Sequence, residues 1–300
     1  MASTTMTVSP IMAALLKTEE ILGKNRQWQS INTEQKNILE QFFSKRAELS
    51  NLTEKELRSW VSFIAAELNE ILAKEGFDIR LEDFASGEFG VVSILDVLVE
   101  WLAEGKQHPL RVNSQEYPAV KLNPSAEVDK EWKTIFEAFT LPNHPYPVAM
   151  IHTKSGDRVY MTMAPKPESD FALVKAIDKI RSTARINKHF DYLVFPMVDL
   201  NQQVDIGWLK GMQTTREDTK ELVYISQAKQ QTKFKMNQFG ARVKSAVAIG
   251  VRTLSIRREE PFIIDKPFFL WIERQGVSFP IMYAYLDLED WKNPGDLQNM

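Results

Sequence analysis

The sequence predicts an α+β fold in a single domain over residues 1–300. Apolar residues recur at helical spacing through residues 1–109, whereas extended, β-branched runs dominate residues 148–300. Residues 110–147 between them are interpreted as a shortened connector region. Helices first and strands later are typical of α+β architectures. With 44% hydrophobic residues, the chain can bury a sizeable core.

Four helices are predicted in the first part, over residues 11–22, 33–49, 53–75 and 91–102. Pro10 favours the first turn of the first helix, and Gly23 is its predicted stop. The third has the clearest start, because Thr53 and Glu56 have the spacing of a capping box. Gly76 is expected to end it.

Later segments are mostly predicted strands. A hairpin is expected around the turn 153–157, and three prolines in 142–147 exclude regular helix there. Helices are predicted at 126–139, 171–184 and 204–212. Strands are predicted at 148–152, 158–163, 192–198, 222–234, 262–272 and 279–288.

The sequence contains few of the residues and motifs that are typical of enzyme active sites. The chain has no cysteine, which excludes disulfides, thiolate metal sites and cysteine nucleophiles. Its histidines do not have metal-ligand spacing, and common nucleophile and phosphate-loop motifs are missing. We therefore expect no enzyme activity, no cofactor and no metal site. We also expect a soluble, cytoplasmic protein without membrane contact, since the apolar run 11–16 is interrupted by charges and no run reaches bilayer length.

Residues 222–258 contain no acidic side chain and eight basic ones. A solvated basic face is one interpretation, and an electrostatic footprint for an acidic partner or a polyanion at 229–258 is the other. Base-stacking aromatic residues are not interleaved with these charges, which favours the solvated face. The basic residues are Lys229, Lys233, Lys235, Arg242, Lys244, Arg252, Arg257 and Arg258.

Small and β-branched residues alternate with polar or small ones after Gly240. This period of two is typical of a half-buried strand. The residues of the first set are Ala241, Val243, Ser245 and Val247, and those of the second are Arg242, Lys244 and Ala246. The segment then continues to Pro261 without a turn signal.

Residues 262–272, with sequence Phe-Ile-Ile-Asp-Lys-Pro-Phe-Phe-Leu-Trp-Ile, resemble the signature of the serpin superfamily. Residues 234–240 resemble the serpin strand that opens the reactive-centre loop, and the distance from Gly240 to Asp265 suits such a loop. Residues 276–288 and Asn293-Pro294 resemble the closing strands and terminal Asn-Pro. Weaker similarity extends back to residue 148, with a faint match near Ser9.

The resemblance implies a long exposed reactive-centre loop at 240–260. A protease would cleave it, and the loop would insert as a strand into the main sheet. The implied hinge residues are Gly240, Ala241, Val243, Ser245 and Val247. By alignment the scissile bond is Leu254–Ser255, with Arg252, Arg257 and Arg258 as alternative reactive sites.

Departures from the family pattern keep other functions open. The chain is shorter than a usual serpin, with the loss assigned to residues 110–146, and the hinge lacks both its acidic pair and its alanine run. One hypothesis is a suicide-substrate inhibitor of a serine or cysteine protease. Another is a non-inhibitory serpin-fold scaffold that binds a partner protein, and the third is an unrelated interaction module. The oligomeric state is left open.

Overall fold

The computed structural model describes residues 2–124, 134–240 and 260–297. Its α-helices are α1 (Val8–Leu22), α2 (Thr33–Asn37), α3 (Ala65–Lys74) and α4 (Asp170–Ser182). After α2 the chain continues as a π-helical turn (Ile38–Phe42) and a 3₁₀ segment (Phe43–Asn51). Within the described residues, no helix has the length and apolar character needed to cross a membrane.

Seventeen strands are described, and most pair antiparallel. In chain order they are β1 (Thr4–Met6), β2 (Leu57–Ser62), β3 (Gly90–Leu95), β4 (Lys106–Val112), β5 (Gln115–Leu122), β6 (Phe136–Thr140), β7 (Val148–His152), β8 (Arg158–Met163), β9 (Ile186–Lys188), β10 (Tyr192–Pro196), β11 (Val198–Val204), β12 (Gln213–Thr215), β13 (Leu222–Tyr224), β14 (Gln230–Met236), β15 (Pro261–Ile263), β16 (Phe268–Glu273) and β17 (Met282–Leu286).

The largest sheet has seven strands in the order β1-β17-β16-β8-β7-β6-β9. Its middle strands are almost entirely buried, which is why they read as continuous apolar runs instead of alternating ones. Trp271 lies opposite both Tyr160 and Tyr283, and the Tyr160 and Trp271 rings stack with centroids 4.9 Å apart. This sheet holds much of the main core.

A second sheet has the order β15-β10-β5-β4. Its β4–β5 hairpin turns at Asn113 and Ser114, which have φ of +49° and +66°, the left-handed pair that a tight two-residue hairpin requires. The β10–β15 pairing is parallel. Since β15 starts immediately after the loop region, this sheet holds the loop's C-terminal end.

Two strand pairs, β2–β3 and β11–β14, do not join either larger sheet, and the first of them lies between α1 and α3. The N-terminal helix α1 packs against β2 and β3 from the core side. On their other side, Leu68 and Leu72 of α3 form a separate cluster with Val92 and Ile94 of β3. The β2–β3 pair is therefore covered on both faces.

The predicted helix over 53–75 is wrong in its first half. Thr53 and Glu56 do bond as a capping box, with the Thr53 amide and hydroxyl both donating to the Glu56 carboxylate at 2.9 Å. The turn they close leads into β2, however, and only Ala65–Lys74 is helical. Pairing of all six β2 residues with β3 outweighs the local helical period.

The helix predicted over 91–102 is also wrong, because β3 occupies 90–95 and irregular chain follows. In the helix predicted over 126–139, residues 136–139 instead belong to β6, and 125–133 lie outside the described residues. The shortened connector expected at 110–147 contains most of the β4–β5 hairpin and β6. In the two predicted helices, pairing of β3 with β2 and of β6 with β7 and β9 overrides the local helical pattern.

Other predictions are confirmed. The first helix, the 148–163 hairpin and the helix at 171–184 are present within a few residues of their predicted ends. The helix α1 begins at Val8, so Ser9 lies inside it and does not cap it. The long strands predicted at 192–198, 222–234 and 262–272 are each divided into shorter ones.

Candidate functional site

The candidate site is a cleft between β3 and β14. Within the described residues β3 bonds to β2 alone and β14 to β11 alone, so each presents an open edge to the other. A cavity of about 650 Å³ lies along these edges, lined by residues 91–99 and 226–235 and by Ile11 and Leu15 of α1. The cleft is therefore flanked by two strands with unused backbone donors and acceptors.

The core side of the cleft contains buried polar atoms among its apolar lining. Gln230 and Thr232 of β14 line it, and each keeps a buried side-chain oxygen that has no hydrogen-bond partner in the described structure. The Gln230 amide donates to the Thr7 carbonyl at 3.0 Å, and the nearby Ser9 hydroxyl is fully buried without a partner. Buried polar atoms of this kind are normally bonded, so the region can accept a polar occupant.

The chain reverses direction at the end of β14. Asn237 and Gly240 bond reciprocally, with the Asn237 amide donating to the Gly240 carbonyl at 3.0 Å and the return bond at 3.3 Å. Gly240 also forms an antiparallel bridge with Glu100, which follows β3. A strand continuing from Gly240 in this direction would run back along β14, antiparallel to both sides of the cleft.

Gly240 is tightly enclosed. Its φ is +113°, and a Cβ there would lie 2.6 Å from the Val99 carbonyl oxygen, 2.7 Å from the Trp101 nitrogen and 2.8 Å from the Glu100 Cα. All three are backbone atoms and cannot rotate away. The position therefore needs glycine for its conformation and for its space.

Asn237 and Trp101 fix this turn to the rest of the molecule. The Trp101 indole donates to the Asn237 carbonyl at 3.0 Å, and the Asn237 side chain donates to the Gly295 carbonyl and accepts from the Phe239 amide. Trp101 is 2% exposed and meets Phe195 of β10 edge to face. The loop base is thereby bonded to the C-terminal segment and, through Trp101, packed against the second sheet.

The far end of the loop is anchored separately. The Glu260 amide donates to the Asp191 carboxylate at 2.7 Å, and the Asp191 amide donates to the Glu260 carbonyl at 2.9 Å. Parallel pairing of β15 with β10 follows directly. The two ends of the loop thus belong to different sheets.

Of the predicted site residues, Gly240 is described and occupies the hinge position. The others lie outside the described residues: Ala241, Val243, Ser245, Val247, Arg252, Leu254, Ser255, Arg257 and Arg258. Sequence analysis missed Trp101 and Glu100, because it placed both in a helix. Only the neighbouring Gly105 signals irregular chain there, and its amide bonds to the Gln238 carbonyl at 2.8 Å.

Two of the four histidines, His144 and His152, contact other side chains within the fold, whereas His108 and His189 are exposed. His144 contacts the Thr162 hydroxyl at 2.7 Å, and burial lowers its pKa. His152 contacts the Glu137 carboxylate at 3.0 Å. Across 2–124, 134–240 and 260–297, no group of three or more His, Asp or Glu side chains is placed to hold a metal ion.

Comparison with known proteins gives a consistent fold. Neither a scan of protein-family models nor a search of curated proteins matches the sequence. Solved structures do match it. Serpin48 of the insect Tenebrio molitor has a TM-score of 0.58 at 13% identity, covering 95% of this chain and 92% of its own.

Two further solved structures are similar to the chain over nearly its whole length. Native protease nexin-1 with heparin has a TM-score of 0.56 at 12% identity, covering 95% of this chain and 92% of its own. Thyroxine-binding globulin in complex with thyroxine has a TM-score of 0.54 at 12% identity, covering 97% and 93%. These likenesses show that the chain has the serpin fold, as its 262–272 segment predicts.

Proposed function

We propose that this serpin-fold chain is a non-enzymatic, suicide-substrate inhibitor of a serine or cysteine protease. The protease cleaves within 240–260, and the chain after Gly240 then enters the cleft as a new strand between β3 and β14. The observation that carries the proposal is the reversal at Asn237–Gly240, which directs the chain antiparallel to both open edges. Strand addition to an open edge is an established way to gain backbone bonds.

The chemistry belongs to the protease. Its nucleophile attacks the carbonyl carbon of the residue before the scissile bond, and the amine of the next residue leaves with a proton. An acyl-enzyme remains, and water would normally hydrolyse it. Insertion faster than this hydrolysis traps the protease, because the attached enzyme is carried with the moving strand.

The alternation of side chains along a strand determines which loop residues would face the core side of the cleft after insertion. Successive side chains of a strand point to opposite faces, so Ala241, Val243, Ser245 and Val247 share one face. Their small size suits a cleft closed by α1, whereas Arg242 would face solvent. The unbonded oxygens of Gln230 and Thr232 also gain neighbours when the cleft is filled.

The reactive bond sets the class of protease. Cleavage at Leu254–Ser255 suits a chymotrypsin-like or elastase-like enzyme. Cleavage after Arg252, Arg257 or Arg258 suits a trypsin-like one. The matching pocket must hold an apolar side chain in the first case and a cation in the second.

A second candidate function is a non-inhibitory scaffold. It is favoured by Gln238 and Phe239, which replace the acidic hinge pair, and by β-branched Val243, which must pass a narrow gap. One structure with this fold is a globulin in complex with thyroxine, so the fold also serves ligand binding. In that case the cleft would be a permanent feature and not an insertion path.

The test is incubation with chymotrypsin, elastase, trypsin and papain, analysed on a denaturing gel with mass spectrometry of the fragments. We expect a covalent complex and a cut after Leu254 or one of the loop arginines. Clean cleavage within 241–259 without a complex would favour the scaffold. A cut confined to other parts of the chain would contradict both functions.

Two hinge variants test the insertion step. Val243→Arg places a charge on the core side, so cleaved protein should no longer insert, while Arg242→Val changes only the solvent side. Each kcal/mol of stability gained on insertion raises the melting temperature by about 2–4 °C. Cleaved wild type and Arg242→Val should show that rise, and cleaved Val243→Arg should not. An equal rise in melting temperature in all three proteins would exclude an inserted strand in which Val243 faces the core and Arg242 faces solvent.

A further inference from the structure

The cavity of the cleft extends along helix α1. Ile11, Ala14, Thr18 and Leu22 of α1 line it, and their spacing of three or four residues places them on one face of the helix. Ile11 and Leu22 are eleven residues apart, which corresponds to about 16 Å along a helix axis. The cavity is therefore an elongated space that has a helix face as one wall.

One face of strand β14 forms a second wall of this space. The Gln230 side-chain amide donates to the Thr7 carbonyl at 3.0 Å, so this face of the strand lies at the start of α1. Side chains alternate along a strand, so Gln230 and Thr232 lie on this face, whereas Lys229 and Lys233 lie on the opposite one. The charges of β14 are therefore directed away from α1.

We call the part of the cavity that is lined by Ile11, Ala14, Leu15, Gln230 and Thr232 the α1 pocket. The side chains that define it are all uncharged, and three of the five are aliphatic. An ion placed among them would lose its hydration without gaining an ion pair. The α1 pocket therefore suits a neutral and mainly apolar occupant.

Two polar atoms of the α1 pocket lack a hydrogen-bond partner. The Gln230 side-chain oxygen and the Thr232 hydroxyl are buried, and neither is bonded within the part of the chain that the structure describes. The Thr7 carbonyl can only accept, so the Gln230 amide nitrogen must face it and the Gln230 oxygen must face away. That oxygen needs a donor, and a hydroxyl group of an occupant can donate to it and also accept from Thr232. A carboxylate has no proton to donate and does not fit.

We propose that the α1 pocket binds a neutral, mainly apolar small molecule that carries a hydroxyl group, a chemical class that includes long-chain alcohols. The whole cavity has a volume of about 650 Å³, which is in the range of pockets that hold small molecules. An apolar lining with a few oriented polar groups is also typical of such pockets. Binding of the ligand requires no protease. Competition between the ligand and the loop rests on the proposed function, since both would fill the core side of the cleft.

The experiment compares three ligands that share one ten-carbon chain: 1-decanol, decanoate and decylammonium. Isothermal titration calorimetry at pH 7 with the intact chain should show saturable, one-to-one binding of 1-decanol. Decanoate and decylammonium should bind at least about tenfold more weakly, because each would have to bury an unpaired charge. Equal affinity for all three ligands, or no saturable binding of 1-decanol, would overturn the proposal.

Matched variants assign the binding to the α1 pocket. Thr232→Val keeps the shape of the side chain and removes its hydroxyl, so the affinity for 1-decanol should fall about two- to tenfold. The control is Thr214→Val, because Thr214 is also buried but its hydroxyl donates to the Gln27 carbonyl at 2.8 Å, outside the cavity lining. This control should bind 1-decanol as wild type does, and equal losses in the two variants would overturn the assignment.

Filling the α1 pocket is a second test of the site. Ala14→Phe should abolish binding of 1-decanol, and Ala14→Leu, which adds less volume, should weaken it. Circular dichroism checks that each variant is folded. Wild-type affinity in a folded Ala14→Phe variant would show that the ligand lies elsewhere and would overturn the proposal.

Loop cleavage separates this inference from the proposed function. The intact protein should bind 1-decanol whether or not it traps a protease. Cleaved protein that gains thermal stability should lose this binding, because the inserted strand then fills the core side of the cleft. Cleaved protein that gains no stability should bind 1-decanol as before, which would contradict insertion and support the ligand site. Unchanged affinity in a cleaved and stabilised protein would overturn the placement of the ligand in the α1 pocket.

Discussion

Replacing Gly240 by alanine tests whether the loop base is as closely packed as the structure indicates. The new Cβ would lie under 3 Å from three backbone atoms of 99–101. Overpacking of this kind costs about 1–3 kcal/mol, and an alanine at positive φ adds about 1–3 kcal/mol of backbone strain. The free energy of unfolding should therefore fall by about 2–6 kcal/mol.

Gly156→Ala and Gly87→Ala are the matched controls. Both glycines have positive φ, +82° and +85°, and a Cβ at either would meet nothing within 4 Å. An alanine at either position has the backbone strain without the close contact, so each variant should lose only about 1–3 kcal/mol. The difference between Gly240→Ala and the controls isolates the backbone contact with Val99 and Trp101.

The assay is urea unfolding followed by circular dichroism, with all three variants measured at the same pH and after the same equilibration. Refolding from urea should reproduce each curve before free energies are compared. If Gly240→Ala loses no more stability than Gly156→Ala, the close approach of Gly240 to residues 99–101 is wrong. The argument for a fixed chain reversal at this point then fails with it.

Two further predictions concern buried charges. Arg274 donates to both oxygens of Asp157 at 2.7 Å and to Glu56 at 2.8 Å, and Asp157 is 1% exposed. Arg274→Met should lower the free energy of unfolding at pH 7 by about 3–5 kcal/mol, and a loss under about 1 kcal/mol would refute the role of this pair. Burial, together with nearby Asp205, raises the pKa of Asp170 from 3.8 to about 6. The proton held by Asp170 stabilises the folded state fully below pH 3.8, and this contribution is lost as the pH rises through about 6. Relative to wild type, Asp170→Asn should gain thermal stability between pH 4 and pH 7, and a constant difference would contradict the shift.

The strands that are buried on both faces could be predicted from the sequence. Residues 268–272 and 148–152 are continuous apolar runs, and the structure places them in the middle of the seven-stranded sheet. The helix α4 could be predicted as well, because Phe171, Val174 and Ile177 recur at helical spacing, and the structure shows all three buried. In these segments the local pattern and the tertiary environment agree.

The β2–β3 strand pair could not be predicted from the sequence. Residues 57–62 and 90–95 have apolar residues that satisfy a helical period, and an intact capping box at Thr53 strengthened that interpretation. Their strand state depends on pairing between residues that are 28 to 38 positions apart. The cleft depends on the same pairing, since it exists only because β3 and β14 do not bond to each other.

The hinge glycine could be located from the serpin resemblance, whereas its surroundings could not. Nothing in the sequence near Trp101 indicates that its indole bonds to Asn237 or that its backbone encloses Gly240. Gln230 and Thr232 looked like ordinary strand residues. Only the structure shows that their side-chain oxygens are buried and without a hydrogen-bond partner among the described residues.

The separate anchoring of the two loop ends sets a length limit. An extended residue spans at most about 3.3–3.6 Å, and a strand filling the cleft alongside residues 90–99 needs about ten residues, or about 33 Å. Nine of residues 241–259 would then remain before Glu260, whose bonds to Asp191 hold it on the second sheet, and nine extended residues span at most about 30–32 Å. In an uncut loop these nine residues would limit insertion, and hydrolysis of one peptide bond would remove that limit in a single step.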